Sequence, residues 1–246
     1  MKKFIKKLFQ YSSFKVSIFF NYCKKKLLAF GRSKKINKYL NNSKVKKLHI
    51  GCSHASKEGW LPTDISPQSN SVIYLDATDK FPFEDNIFDY IYCEHMIEHI
   101  NYFQASYMLE ECFRISKPNG KIRIATPDLD KYLSLIYDNK KKENLEMIDF
   151  YMNDLFSRYP NDENAAMHIL NLEMHSWGHK YLYNLSTLKN QLVNSGFSKI
   201  SQHDGGKSDD HNFKNLEMHK ENQAKKGIHD KPNFFDFETV IVEAEK

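Results

Sequence analysis

The sequence predicts an α/β fold with a mostly parallel sheet and helices packed on its faces. Two patterns and one spacing predict it. Short runs rich in β-branched and aromatic residues recur along the chain. From Phe88 onward such runs alternate with helix-period segments, the pattern of strands joined by helical crossovers. The first three runs each end at or beside a distinctive residue, Gly51, Asp64 and Asp76, and open parallel sheets bind ligands beyond the carboxyl ends of their strands.

Each element follows from its own residues. Lys47–Gly51 reads as a short strand closed by a glycine, and Trp60–Ile65 and Val72–Leu75 as two more. Phe88–Cys93 (FDYIYC) is an aromatic strand with Asp89, a structural acid, at its start. Ala105, Met108, Leu109, Cys112 and Phe113 form an apolar stripe at helical spacing within a helix over 101–117. Lys117-Pro118-Asn119-Gly120 stops that helix in a turn. Lys121–Ala125 alternates as a strand, and Asp128 is the N-cap of a helix reaching about Tyr137. Residues 138–178 look helical but weakly patterned, and a helix at Leu185–Val193 is closed by Gly196. Phe197–Gln202 and Phe235–Glu243 read as the last strands, around a long polar loop at 203–232.

The chain has 246 residues, of which 41% are hydrophobic and 27% charged. It is long enough for one or two domains with a real core. Gly and Pro are scarce, which excludes linker-like or collagen-like classes. No apolar run is long enough to span a membrane. Cys23, Cys52, Cys93 and Cys112 show no metal-binding or redox spacing, so reduced thiols in a cytoplasmic protein are expected.

Charge is unevenly spread. Residues 1–57 carry 16 Lys and Arg and no acid, so the remainder is net −11. An acidic body argues against nucleic acid as the main partner. Residues 1–45 are expected to form a basic amphipathic arm, with Phe9, Phe19, Phe20 and Phe30 beside Lys2, Lys3, Lys6, Lys7 and Lys24–Lys26. Its short, broken apolar run is unlike a signal peptide. Three readings stay open for it: peripheral contact with an anionic membrane at the inner face, packing on the domain, or a solubilising leader.

A glycine after strand one admits close backbone approach to a ligand. An acid after strand two can accept from a ribose diol, and one after strand three from an adenine amine. Together these describe an adenosine site. The stretches LHIGCSHASKEGWLPTDISP, LDATDKFPFEDNIFDYIYCEHMIEHI and ECFRISKPNGKIRIATPDL, with WGHKYLYNLSTLKNQLVNSGF and FETVIVEAEK further on, resemble the class I S-adenosylmethionine-dependent methyltransferases, type 11 group. The resemblance runs from about Lys46 to Asp130 and more loosely to the C-terminus. It implies a Rossmann-like methyltransferase domain at 46–246, with a helical insertion at about 138–178, that uses S-adenosyl-L-methionine. Gly51, Cys52 and Ser53 would line the methionine side of the cofactor and Asp64 would bind the ribose. Asp76 and the Ala77 N–H would face adenine, and Glu94 would lie under the cofactor. Two departures stand out. Ser53 replaces the family's second glycine, and only about nine residues separate strand one from Trp60. Parallel neighbours normally need a longer, helical crossover, so the first crossovers should be loops, with part of the arm covering the face they leave bare.

Histidines supply candidate bases. His95 and His99 are four apart, as are His175 and His179. That spacing can hold zinc, but no third ligand is evident, although His168, His211 and His219 are available, so no metal is expected. Methyl transfer to a hydroxyl needs a proton acceptor near neutral pH, which histidine suits; His99 and His179 are the catalytic candidates. Trp177, Tyr181 and Tyr183 would form either a ring-stacking wall or core. The expected function is methyl transfer to an oxygen or nitrogen of a small molecule or saccharide; the alternative is a non-catalytic cofactor-binding scaffold. An oxidoreductase is disfavoured, because no GxGxxG follows strand one.

Overall fold

The computed structural model describes residue 23 and residues 25–53, 56–155, 162–217 and 234–246. Most of the expected arm, residues 1–22 and 24, lies outside the described residues, as do His219 and the rest of 218–233. The strands are β1 (Lys47–Ile50), β2 (Trp60–Asp64), β3 (Ile73–Tyr74), β4 (Phe88–Glu94), β5 (Ser116–Pro127), β6 (Ser198–His203) and β7 (Thr239–Glu245). They form one seven-stranded sheet in the order 3-2-1-4-5-7-6. The pairs β1–β2, β2–β3, β1–β4 and β4–β5 are parallel, and β7 runs antiparallel to β5 and β6. The mixed sheet is the α/β arrangement the sequence predicts.

Short strands explain the short crossovers. β1 has four residues and β2 five. At about 3.3 Å per residue, the return path is only some 13–17 Å. The nine residues 51–59 and the eight residues 65–72 can span it in extended or turn conformation. No helix is assigned to them among the described residues, so these crossovers are loops, as expected.

Helices accompany the sheet on both faces. They are α1 (Arg32–Asn42), α2 (Tyr102–Ile115), α3 (Leu129–Tyr137), α4 (Lys142–Phe150), α5 (Ala165–His175), α6 (Leu185–Asn194) and the short α7 (Phe234–Glu238). Side chains alternate between sheet faces, so the register Leu61–Leu48–Ile91–Ile122–Ala244 forms one apolar row. It packs with Ala105, Met108, Leu109 and Cys112 of α2 and Leu188 and Leu192 of α6 in the main core. Asn101 caps α2 in a capping box with Gln104, and Asp128 caps α3 as the sequence predicts. Ile36 of α1 joins the same core, and the Tyr39 hydroxyl accepts the Lys47 N–H at 2.7 Å.

The opposite face is polar. There His49, Tyr92, Arg123 and Glu243 are aligned across β1, β4, β5 and β7. Arg123 is fully buried and ion-pairs with Glu217 and Glu243. Its Nε donates to Glu217 Oε1 at 2.7 Å. Trp60 and Tyr92 are covered by Phe213 and Leu216. Among the described residues, the bare face left by the short crossovers is therefore closed by the first half of the long polar loop, whereas α1 contacts β3 and the main core.

Element boundaries depart from the sequence reading in two places. The Lys117–Gly120 turn lies within β5 as an irregularity between the Phe88 and Tyr90 registers, with Asn119 at φ 60°. The last strand begins at Thr239 because Phe234–Glu238 forms a helical turn first. The insertion is helical, with α4, a wide turn at Tyr151–Leu155 and α5 packing on α3 around Tyr132, Leu135, Met147 and Ile169. Cys52, Cys93 and Cys112 are buried free thiols. No described helix is long and apolar enough to cross a membrane.

Removing one partner of a buried ion pair leaves an uncompensated charge, at a cost of about 3–5 kcal/mol. Arg123→Ala should therefore lower the urea unfolding free energy by that amount, whereas Lys207→Ala, which breaks an exposed pair with Asp204, should leave it unchanged within error. Equal stabilities for the two variants would show that the Arg123 pairs do not hold this face.

Candidate active site

The carboxyl ends of β1, β2 and β3 carry the residues expected to bind cofactor. β1 runs directly into Gly51, at φ 69°. A Cβ there would stand 2.4 Å from Met96 Cγ, so only glycine fits the turn. Cys52 N–H donates to the Thr63 carbonyl at 3.0 Å. Burial pushes its thiol up to about 12, so it is inert. Ser53 also adopts a left-handed conformation, φ 53°, the geometry a glycine would adopt without strain. Its N–H donates to Asp64 Oδ2 at 2.8 Å, while Ser66 N–H donates to Oδ1 at 2.7 Å. Asp64 thus ties the β1 and β2 loops together. A carboxylate oxygen accepts more than one hydrogen bond, so both oxygens retain capacity for a diol.

Asp76 is nearly buried. Its Oδ1 accepts from the Thr78 N–H and hydroxyl, at 3.0 and 2.7 Å. Its Oδ2 lies 2.7 Å from Lys25 Nζ, which also bridges to Asp79 at 2.9 Å. Burial alone would raise the Asp76 carboxyl, but the Lys25 and Thr78 hydrogen bonds outweigh it and hold the group below the usual range. Ala77 follows, buried. Glu94 ends β4 and is buried on the polar face with Tyr92.

The second half of the site is built where β4 leaves the sheet. His95 has φ 45° and is followed by a 3₁₀ turn, Ile97–His99. That turn buries Glu98 completely. Glu98 Oε2 accepts from Thr126 Oγ1 at 2.9 Å, and Oε1 lies 3.4 Å from His95 Nδ1. Burial pushes the His95 imidazole down, yet the Glu98 carboxylate outweighs that and raises it to about 9. The Glu98 carbonyl accepts the Lys180 and Tyr181 N–H groups at 2.7 and 3.3 Å. This draws the 178–183 segment against the end of β4.

The consequence is a pairing that neither four-residue spacing predicts. His99 meets His179, with ring centroids 5.0 Å apart. His95 instead turns to Glu98, and His175 is exposed at the end of α5. His179 Nδ1 is 2.6 Å from the Glu173 carbonyl, so the Nδ1–H donates there and Nε2 carries the lone pair. Burial holds the His179 imidazole below its ordinary value, in the neutral form that can accept a proton. Behind it, burial and Glu238 raise the Glu173 carboxyl to about 8. Glu98, His99 and His179 present three ligand atoms within 4.8 Å of one another, so the third ligand missing from the histidine spacings is an acid from the same turn. His168 and His211 lie elsewhere, beside Asp162 and Asp210. Tyr183 is core, Tyr181 packs on Tyr102 and Tyr183, and Trp177 is exposed. Glu98 and Thr126 were invisible in the sequence because they are brought together by burial at the β4 and β5 ends, and Glu173 because it is buried on α5, which no local spacing marks.

Residues 53–124 match a family model described as a methyltransferase domain. A search of curated proteins finds no match. Among solved structures, the chain is similar to a SAM-dependent methyltransferase from Archaeoglobus fulgidus, at 17% identity over 90% of this chain and 94% of that one, with a TM-score of 0.47. It is also similar to a SAM-dependent methyltransferase, possible histamine N-methyltransferase, from Thermotoga maritima, at 12% identity over 94% of this chain and 97% of that one, with a TM-score of 0.45. A third is phosphoethanolamine N-methyltransferase 2 of Haemonchus contortus, at 16% identity over 85% of this chain and 52% of that one, with a TM-score of 0.44. Residues 53–124 thus match a methyltransferase domain, and the 3-2-1-4-5-7-6 sheet with its antiparallel β7 is the class I methyltransferase α/β arrangement.

Proposed function

We propose that the chain is an S-adenosylmethionine-dependent methyltransferase acting on an oxygen or nitrogen of a small molecule or saccharide, with the acceptor bound against His99 and His179. The observation that carries the reading is the meeting of these two imidazoles at the carboxyl end of β4, beside the loops of Gly51 and Asp64. The cofactor-side residues fit an adenosine-bearing ligand: a turn with no room for a Cβ at Gly51, a carboxylate with spare acceptor capacity at Asp64, and an acid at Asp76. Gly51, Cys52 and Ser53 would take the methionine side, Asp64 the ribose, Asp76 and the Ala77 N–H the adenine, and Glu94 would support the loop from below. When bound, S-adenosylmethionine supplies a methyl group already activated by its sulfonium.

The chain's own residues then have two tasks. The loops after β1 and β4 hold the acceptor in line, where positioning supplies most of the rate. His99 and His179 handle the proton that an O–H or N–H acceptor must lose, a contribution of roughly 10²–10⁴-fold. A net-negative body supports a small acceptor over nucleic acid.

Asp64→Ala and Asp76→Ala should each weaken S-adenosylhomocysteine binding roughly 10–150-fold in calorimetry, the value of about 1.5–3 kcal/mol for hydrogen bonds to a charged group. Unchanged affinity in a folded Asp64→Ala protein would remove Asp64 from the ribose site.

His99→Gln and His179→Gln address the other half. At least one should lower turnover at saturating acceptor roughly 10²-fold or more while cofactor affinity stays within a few-fold of the parent. If both variants keep full turnover, the acceptor does not use this pair.

A further inference from the structure

We infer that Glu98, His99 and His179 bind a divalent zinc-like ion at the acceptor side of the site. What the ion does there rests on the acceptor position proposed above; that it binds does not.

Three features of the cluster point to it. The first is the donor set. Two imidazoles and one carboxylate, from two separate segments, bring their ligand atoms within 4.8 Å of one another. Zinc in catalytic sites takes this His₂Glu type of set and leaves a fourth position for water or substrate. With ligand bonds of about 2.0–2.2 Å, tetrahedral ligand atoms stand roughly 3.4 Å apart, so closing on an ion contracts the cluster by no more than about 1.4 Å.

The second is the way the ligands are already held. His179 Nδ1 bonds to the Glu173 carbonyl, which fixes the tautomer that presents Nε2. Glu98 Oε2 takes the Thr126 hydroxyl. Metal-ligating histidines and carboxylates are oriented by such outer hydrogen bonds.

The third is an unmet acceptor. Glu98 is fully buried, and its Oε1 accepts no hydrogen bond; the nearest cation is His95 at 3.4 Å. A buried carboxylate oxygen in that state is costly. A divalent ion would satisfy Oε1.

Bound there, the ion would ligate the acceptor's hydroxyl or amine in its open position and lower that group's pKa. The proton is lost to solvent, and the nucleophile's lone pair forms the new bond to the methyl group as the bond to the cofactor's sulfur breaks. His99 and His179 would then handle the acceptor's proton by holding the ion.

The test uses the full-length protein, stripped with chelator. Cobalt(II) is titrated in and followed by visible absorption, then displaced with zinc; metal content after dialysis against zinc is measured by mass spectrometry. Stoichiometric cobalt binding with the intense absorption of a tetrahedral site, erased by zinc, is expected. The His99→Gln/His179→Gln double variant should lose both signals, while its S-adenosylhomocysteine affinity stays within a few-fold of the parent. His168→Gln/His211→Gln should keep both signals. Weak or absent cobalt absorption in the parent protein would overturn the inference even if the double variant fails to fold. Retention of metal by a folded double variant would also overturn it. Cobalt binding by a protein that does not bind S-adenosylhomocysteine would uphold the metal site and refute the cofactor assignments instead.

Discussion

A single buried carboxylate organises the turn after β4, where His99 and His179 meet. Glu98 is fully buried, where an unpaired charge is costly. Its partners are therefore drawn from wherever the fold can supply them. Thr126 comes from the end of β5, His95 from the turn leaving β4, and its own carbonyl pins Lys180 and Tyr181. The last of these contacts brings His179 to His99. Without Glu98 in the 3₁₀ turn, the two histidines, 80 residues apart in sequence, have no reason to meet.

The loops after β1 and β2 obey a different constraint. Four- and five-residue strands make helical crossovers unnecessary, and loops replace them. That economy leaves the β2–β1–β4 part of one face to be covered by a loop. Its central row is correspondingly polar, and Arg123 stabilises it only because Glu217 and Glu243 are held beside it. Glu217 lies at the end of the described part of the polar loop, with Phe213 and Leu216 laid over Trp60 and Tyr92 just before it. The loop is thus a structural lid for a face that other α/β sheets cover with helices. Its polarity in sequence reflects one buried arginine and its acidic partners.

Much of this was legible in the sequence, because the relevant signals are local. Gly51, Asp64 and Asp76 sit at strand ends, and strand ends can be read from β-branched runs a few residues long. The Asp128 cap and the α2 stripe are equally local. What was not legible depends on tertiary burial. The i, i+4 histidine spacings suggested two helical pairs, yet His95 and His99 straddle a left-handed residue and a 3₁₀ turn, which sends their rings to different neighbours. Glu98 and Glu173 look like ordinary surface acids in a helical stretch. Only the sheet edge and the returning 178–183 segment bury them. The glycine-to-serine departure at 53 also looked like a weakness. Its left-handed φ and its bond to Asp64 show that a charge-assisted hydrogen bond holds a conformation glycine would have adopted freely.

The β1 loop and the β4 turn are joined by Met96. Met96 lies between His95 and the 3₁₀ turn, and its Cβ and Cγ fill the space that a side chain at Gly51 would need. The β1 loop can therefore close on a ligand only as far as the β4 turn allows, and that turn is set by Glu98. A shift of Met96 would therefore be felt at Gly51. Well-packed interiors transmit such shifts because they contain little free volume to absorb them. The hydrogen-bonded loops after β1 and β2 and the charge-organised turn after β4 thus differ in composition, with Met96 a mechanical contact between them.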